Sequence, residues 1–320
     1  MTGSHKISEI AVVGSGYMGG GMAQVFTMAG YNCVVADATA ELAHASVERL
    51  LSEASSFEKQ GLFPAGSRDQ IAARLSAAES IEDAVAKADY IAEVVSERMD
   101  VKDSVLARIS GAAPSSAIIA SNTSAIPIEI LAASVELPDR FVGVHWMNPA
   151  PFVPTVEIIP SSHTSPEVMD KTEELIKGLG KVTSRVSDVA GFVANRLQFA
   201  LFQEAVRMVE EGASTPELID EVVSNSFGFR LPFFGPFAGA DMAGLDVYVG
   251  AYESLSKAYG ERYAAPKLLS DRVAQGDFGI KTGGGFRGMD PSRINEIVSY
   301  RNRAYTALAK LKEELGPFPG

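Results

Sequence analysis

Short apolar, β-branched runs alternate with stretches of helical spacing along the first part of the chain. Glu9 to Val13 reads as a strand and breaks off at Gly14-Ser15-Gly16-Tyr17-Met18-Gly19. Met18, Met22, Val25, Phe26 and Ala29 then recur at helical spacing until Gly30, and a second apolar run, Cys33 to Ala36, ends in Asp37. Glu41 to Lys59 carries leucines and alanines at helical spacing and stops at Gly61-Leu62-Phe63-Pro64, after which Ser67 to Leu75 predicts a short helix. Ala88–Val95, Ala117–Ala120, Phe141–Val144 and Val156–Ile159 predict strands, with a helix over Val101–Ile109. Strands alternating with helices predict an α/β, doubly wound, mostly parallel sheet, whose ligands lie beyond the carboxyl ends of the strands.

After Asp188 the pattern becomes helical throughout. Phe192–Glu211, Pro216–Ser224, Met242–Tyr259 and Ala264–Val273 predict helices, with glycine and proline breaks at Gly228–Gly239 and Gly276–Gly285. A chain of 320 residues has room for two cores. The expected division is 1–187 for the sheet domain and 188–320 for an all-α C-terminal domain.

Composition removes several classes of function. Hydrophobic content of 46% and charged content of 21% are ordinary for a globular protein, and a net charge of −12 argues against nucleic-acid binding. No signal peptide and no apolar run of about 18 residues is found, so a membrane is not expected as a partner and a cytoplasmic protein is. The single cysteine, Cys33, allows no intramolecular disulfide. Met1 to Lys6 reads as a disordered leader, which sets His5 aside. No H-E-x-x-H, C-x-x-C or acidic calcium-type loop is present, so no metal is expected.

The glycine run has a physical reading. Gly14 permits a tight turn, Gly16 lets backbone approach a pyrophosphate closely, and Gly19 lets the helix pack on the strand. The helix N-terminus offers N–H groups and a positive dipole end to phosphates. Asp37, eighteen residues past Gly19, stands where an acid accepts the hydroxyls of an adenosine ribose. Its charge repels a 2′-phosphate, and Ala38, Thr39 and Ala40 supply no base. The cofactor expected is NAD rather than NADP, in a Rossmann domain.

Four polar groups fall near strand ends. Ser121-Asn122-Thr123-Ser124 follows one strand, although Ser124 could equally cap a helix ahead of Pro127. His145 ends another strand, and it is the only one of the four histidines outside the leader and the polar surface stretches of His44 and His163. Glu157 sits inside the apolar run Val156–Ile159, where a carboxylate needs a partner; His145 is the economical one, since the Pro-rich loop folds the two strand ends together. Asn195 lies early in the long helix, either in the site or as a polar residue on that helix's surface. A Ser124–His145–Glu157 hydrolase is formally possible, but Ser124 is in no G-x-S-x-G elbow and the glycine run would then be unexplained.

Taken together, Gly14-x-Gly16-x-x-Gly19, Ser121–Ser124, His145-x-x-Asn148-Pro149, Val156-Glu157, Gly191-Phe192-x-x-Asn195-Arg196, Gly235-Pro236-Phe237 and Lys281-Thr282-Gly283-x-Gly285-Phe286 resemble the 3-hydroxyacyl-CoA dehydrogenase family in order and spacing. The resemblance implies NAD-dependent oxidation of a 3-hydroxyl to a ketone by a homodimer joined through the helical domain. It implies His145 as general base, Glu157 as its charge partner, and Ser124 and Asn195 as hydrogen-bonding groups for a small-molecule substrate. It assigns the cofactor to Gly14, Gly16, Tyr17, Met18, Gly19, Asp37, Glu97, Lys102, Asn122, Ser124 and Asn148. The 3-hydroxyisobutyrate and 6-phosphogluconate dehydrogenases also begin with such a fingerprint. They use a lysine entering the long helix, and Ser187–Phe192 has none. A non-catalytic, crystallin-like NAD-binding member is the remaining alternative class, against which the intact Ser124–His145–Glu157–Asn195 set speaks.

Substrate choice departs from the fatty-acyl pattern. Members that take CoA thioesters carry several lysines on the helix after the ribose-binding acid, whereas Glu41–Lys59 has Glu41, Glu48, Glu53 and Glu58 against Arg49 and Lys59. Arg230, five residues before Gly235, resembles family members acting on free carboxylates, such as the gulonate, carnitine and pyridine-carboxylate dehydrogenases. A guanidinium grips a carboxylate with two parallel hydrogen bonds. Arg230 could also be a surface residue or an interdomain ion pair. The expected substrate is a small 3-hydroxy acid with a free carboxylate; the alternative is an L-3-hydroxyacyl-CoA such as 3-hydroxybutyryl-CoA.

Overall fold

A computed structural model describes residues 7–319 of the chain. The expected Met1–Lys6 leader, with His5, lies outside the described residues. The chain forms two compact units, one ending at Leu201 and the other beginning at Phe202.

The first unit runs β1 (Glu9–Val13), α1 (Tyr17–Met28), β2 (Asn32–Ala36), α2 (Ala40–Lys59), α3 (Ser67–Ala72), β3 (Leu75–Ala77), α4 (Ile81–Val85), β4 (Tyr90–Glu93), α5 (Met99–Ala112), β5 (Ile118–Ser121), α6 (Ile128–Ala132), β6 (Phe141–Trp146), β7 (Thr155–Ile159), α7 (Pro166–Gly178) and β8 (Val182–Arg185). Its eight strands form one sheet in the order β3-β2-β1-β4-β5-β6-β7-β8. Every neighbouring pair is parallel except β6 and β7, which are antiparallel. The direction of travel across the sheet reverses between β1 and β4, the place where open α/β sheets form a ligand crevice.

The continuous apolar run of β1 follows from burial on both faces. Ile10 and Val12 belong to one core, with Phe26, Leu50, Tyr90 and Trp146, while Ala11 and Val13 belong to the other, with Leu106, Ile119 and Phe141. Phe26 ties the first core together through edge and tilted contacts to Trp146 and Tyr90, at 5.8 and 6.0 Å between ring centroids.

Several boundaries differ from the sequence expectation. The helix expected over Ser67–Leu75 ends at Ala72, and Leu75 instead opens the short strand β3 on β2. The strand expected over Ala88–Val95 pairs only over Tyr90–Glu93. The β8 edge, whose residues are half-buried to exposed, has no apolar run to announce it.

From α8 (Ala194–Glu210) onward the chain is helical: α9 (Pro216–Asn225), α10 (Phe227–Arg230), α11 (Pro236–Ala243), α12 (Leu245–Tyr259), α13 (Lys267–Ala274) and α14 (Ile294–Leu315). The helix expected over Met242–Tyr259 is divided at Gly244, whose φ of 104° ends one helix and starts the next. The glycine break at Gly228 is a helical turn, and α14 is a long helix beyond the predicted set. Among the described residues no helix is long and apolar enough to cross a membrane.

Candidate active site

His145 and Glu157 stand directly opposite each other in the β6–β7 register. Both are buried, and His145 Nδ1 lies 2.8 Å from Glu157 Oε2. The other carboxylate oxygen, Oε1, accepts the backbone N–H groups of Val193 and Ala194 at 3.0 Å each, where α8 begins. Burial alone would push this carboxyl up; the bonds from His145, Ala194 and Val193 outweigh it and hold the pKa below the ordinary 4.5. Charge-assisted bonds of this kind are worth about 1.5–3 kcal/mol each.

The turn that aims those N–H groups is strained. Phe192 has a φ of 47°, uncommon outside glycine, directly after Gly191 at 74°. Its ring is buried and packs 5.6 Å from the His145 ring between centroids. One residue therefore closes the back of the imidazole and directs the start of α8 onto Glu157.

His145 faces a cavity of about 560 Å³, lined also by Ser124, Asn195, Asn122, Asn148, Glu97 and Met18. Asn195 Nδ2 donates to the Ser124 carbonyl at 3.0 Å, so these two candidates are neighbours. Asn122 Oδ1 accepts the Trp146 N–H at 2.8 Å and ties the ends of β5 and β6 together. Met147 and Gln198 line the same cavity without any signal in the sequence.

Ser124 does not cap α6. Thr123 Oγ1 accepts the Ile126 N–H, and the Asp188 carboxylate accepts the N–H groups of Ile128 and Glu129 at 2.8 Å each. The Ser124 turn is held instead by Glu97 Oε1, which accepts Thr123 Oγ1 at 2.6 Å and the N–H groups of Ser124 and Ala125 at 2.9 and 3.0 Å. These bonds and the nearby Lys102 outweigh burial and lower the Glu97 pKa. Lys102 is 1% exposed, with Nζ 2.7 Å from buried Glu93 and 3.6 Å from Glu97. As placed here, Lys102 supports the cavity wall from behind and does not line the cavity.

Lys181 lies outside the reach of sequence reasoning. Its buried Nζ donates to the carbonyls of Ala150, Pro151 and Val153 at 2.7, 3.1 and 2.8 Å and sits 5.5 Å from the Trp146 ring centroid. One ammonium thus pins the loop between β6 and β7 that carries Asn148, and burial lowers its pKa. A lone lysine after Gly180 gives no hint of this in the sequence.

At the carboxyl end of β1 the glycines divide their work. A Cβ on Gly14, with φ 99°, would fall 2.6 Å from the Val94 carbonyl oxygen, and one on Gly19 would fall 1.9 Å from the Gly14 carbonyl oxygen. A Cβ on Gly16 would meet nothing within 4 Å, so the fold does not need glycine there. Tyr17 is exposed, and no side chain caps α1, whose first turn carries no acid. Asp37 Oδ2 accepts the N–H and hydroxyl of Ser15 at 2.8 and 2.5 Å, and Oδ1 accepts the Ala38 N–H at 2.7 Å. Burial raises the Asp37 pKa, but these bonds and the charge of Arg49 bring it below the ordinary value. Arg49 is the base that the loop lacks, yet it is engaged by the Ser15 carbonyl and by Glu53, each at 2.8 Å.

The family models for the NAD-binding and C-terminal domains of 3-hydroxyacyl-CoA dehydrogenase match residues 9–189 and 191–288. The chain belongs to the 3-hydroxyacyl-CoA dehydrogenase family. It is 34% identical over 316 residues to the 5-formyl-3-hydroxy-2-methylpyridine 4-carboxylate 5-dehydrogenase of Mesorhizobium japonicum, covering 96% of this chain and 99% of that one. It is 35% identical over 282 residues to a probable 3-hydroxybutyryl-CoA dehydrogenase of Bacillus subtilis, covering 88% and 97%. The crystal structure of a 5-formyl-3-hydroxy-2-methylpyridine 4-carboxylic acid 5-dehydrogenase, described as an NAD⁺-dependent dismutase, superposes with a TM-score of 0.70 at 33% identity, covering 98% of this chain and all of that one.

This member of the family is accordingly an NAD-dependent dehydrogenase acting on CH–OH groups, with a Rossmann domain followed by a helical one. The residues present suit NAD. Gly16 leaves open backbone at the start of α1 for a pyrophosphate, and Asp37 keeps a lone pair on Oδ1 for a ribose hydroxyl while opposing a 2′-phosphate.

Proposed function

We propose that this dehydrogenase oxidises the hydroxyl of a small 3-hydroxy acid bearing a free carboxylate. The observation that carries the hydroxyl oxidation is the His145–Glu157 bond, with Glu157 itself anchored by the first N–H groups at α8. With Nδ1 held from behind, Nε2 is the nitrogen left for substrate, and the fixed carboxylate sets the tautomer and stabilises the imidazolium. NAD supplies a hydride acceptor when bound. His145 Nε2 takes the hydroxyl proton as the carbonyl forms, while Ser124 and Asn195 orient the oxygen without competing for that proton. Gly14, Gly16, Gly19, Tyr17, Met18, Asp37, Asn122 and Asn148 form the cofactor side of the site in this reading. Glu97 shapes the turn between, and Lys102 backs it.

The substrate class rests on the placement of positive charge. Of the two bases on α2, Arg49 is committed to Ser15 and Glu53 and Lys59 is the last residue of the helix, which leaves little positive field for a CoA phosphate near its start. Arg230 provides the carboxylate anchor. The relative from Mesorhizobium japonicum is named for a carboxylate substrate, whereas that from Bacillus subtilis is named for a CoA thioester, which remains the second reading.

The working form in this reading is a homodimer joined through the C-terminal helices. In the single chain α8 and α9 bury no residue, and Phe199, Phe202, Leu218 and Val222 are all more than half exposed.

His145→Gln tests the chemistry. The expected result is a loss of about 10²- to 10⁴-fold in kcat with NADH affinity retained, measured by NADH fluorescence. Near-normal turnover in the folded variant contradicts the assignment.

A further inference from the structure

The C-terminal unit holds a basic cavity around Arg230 that shares no lining residue with the His145 cavity. It measures about 320 Å³ and is lined by Arg230, Arg301, Asn302, Tyr305, Phe234 and Met242, with small residues of α11 completing it. No acid lines it, in a chain of net charge −12. Arg230 takes part in no side-chain hydrogen bond or ion pair among the described residues, and Arg301 reaches only Asn302 Oδ1, at 3.1 and 3.0 Å.

The arrangement is built by α14. Tyr305 inserts among Phe229, Phe233 and Phe234, with ring centroids 5.8, 6.5 and 6.0 Å away. Those aromatics flank Arg230 on the adjacent turn, so the contact brings α14 onto it. Arg301 lies four residues before Tyr305 and therefore on the same helix face. The family match ends at Gly288, before α14 begins. The helix thus adds Arg301 to a pocket that would otherwise hold one arginine.

We propose that Arg301 joins Arg230 as a second carboxylate-binding and specificity-determining residue, and that α14 thereby completes a pocket for a small organic carboxylate. This rests on the free-acid reading of function above. Two uncompensated guanidinium groups on one cavity repel each other, and a carboxylate relieves that repulsion while accepting paired hydrogen bonds. The Phe234 and Tyr305 rings and Met242 give an apolar wall for a ring or short chain, at the small end of ligand-site volumes.

The test is calorimetric titration of pyridine-4-carboxylate into the full-length protein without cofactor, in wild type, Arg230→Gln, Arg301→Gln and Arg301→Lys. Each glutamine variant is expected to bind about 10- to 100-fold more weakly, with partial recovery in Arg301→Lys and unchanged NADH affinity as the control for folding. The methyl ester is expected not to bind. Weakening in Arg230→Gln but not in Arg301→Gln overturns the role of Arg301 and leaves the anchor reading intact. No weakening in either variant, or no binding to wild type, overturns the pocket and the anchor together. Displacement of the carboxylate by equimolar inorganic phosphate or CoA overturns the carboxylate assignment in favour of a phosphate site.

Discussion

The two units of the chain bury their apolar residues to very different extents. Up to Leu201 the sheet is covered on both faces, with Trp146, Tyr90, Phe26 and Phe141 all at or below 2% exposure. From Phe202 on, the buried cluster is Ala240, Leu245 and Leu269, while Phe202 and Val222 each remain 62% exposed. The first unit is finished as a folded object, and its candidate chemistry is rigid because each group is held by others: His145 by Glu157, Glu157 by α8, Ser124 by Glu97 and Asn195. The second presents apolar helix faces in the single chain, which supports the proposal that a second copy covers them. A substitution in the first unit should therefore change chemistry without changing assembly, and one on the helical faces should do the reverse.

The largest effect expected on that comparison comes from Glu157→Gln. A neutral amide cannot stabilise the imidazolium, so kcat should fall by about 10²-fold or more with little change in oligomeric state. The same carboxylate has a pKa below the ordinary 4.5, so its contribution to stability is present above that value and lost as pH falls through the lowered one. Wild type should lose thermal stability on acidification below the ordinary 4.5, and Glu157→Gln should lose less over that window. A variant with normal kcat and an unchanged acid limb would break the claim that the first unit holds its chemistry through this group.

Next in size is Phe202→Glu on α8. Burying a phenylalanine is worth about 1.5–3 kcal/mol, and a charge there opposes association outright. Light scattering should report a shift toward monomer and a lower Tm, with NADH affinity retained; an unchanged mass and Tm would show that this face does not carry the assembly.

The smallest is Asp37→Ala, which removes the acceptor of Ser15 and Ala38 at the end of β2. KM for NAD should rise by about tenfold with a lesser change in kcat, and the preference over NADP should narrow. Equal kcat/KM for NAD and NADP in wild type would refute the role given to Asp37.

What could be read from the sequence depended on how local its cause was. The β1–α1–β2 grammar is written in consecutive residues, with Gly14, Gly16, Gly19 and Asp37 in order, and it folds as written. The His145–Glu157 contact was legible across a gap because a hairpin returns the chain on itself and one carboxylate stood alone in an apolar strand. Long-range partners were not legible. Asp188 caps α6 from some sixty residues away, and Lys181 gathers three carbonyls from a loop thirty residues earlier, neither leaving a pattern in its own neighbourhood. The strands β3 and β8 escaped because one is three residues long and the other is polar and exposed. For Lys102 the motif gives a position only, and its burial against Glu93, on a strand nine residues earlier, leaves no local pattern.

The substrate proposed for this dehydrogenase is a free carboxylate, not a CoA thioester. Its most direct measurement is kcat/KM for NAD reduction by free 3-hydroxybutyrate and other small 3-hydroxy acids, set beside acetoacetyl-CoA reduction, in wild type and Arg230→Ala. The account predicts that wild type turns over at least one free acid more efficiently than the thioester, and that Arg230→Ala loses the free-acid reaction selectively. Efficient acetoacetyl-CoA reduction that survives Arg230→Ala would contradict it and restore the thioester reading.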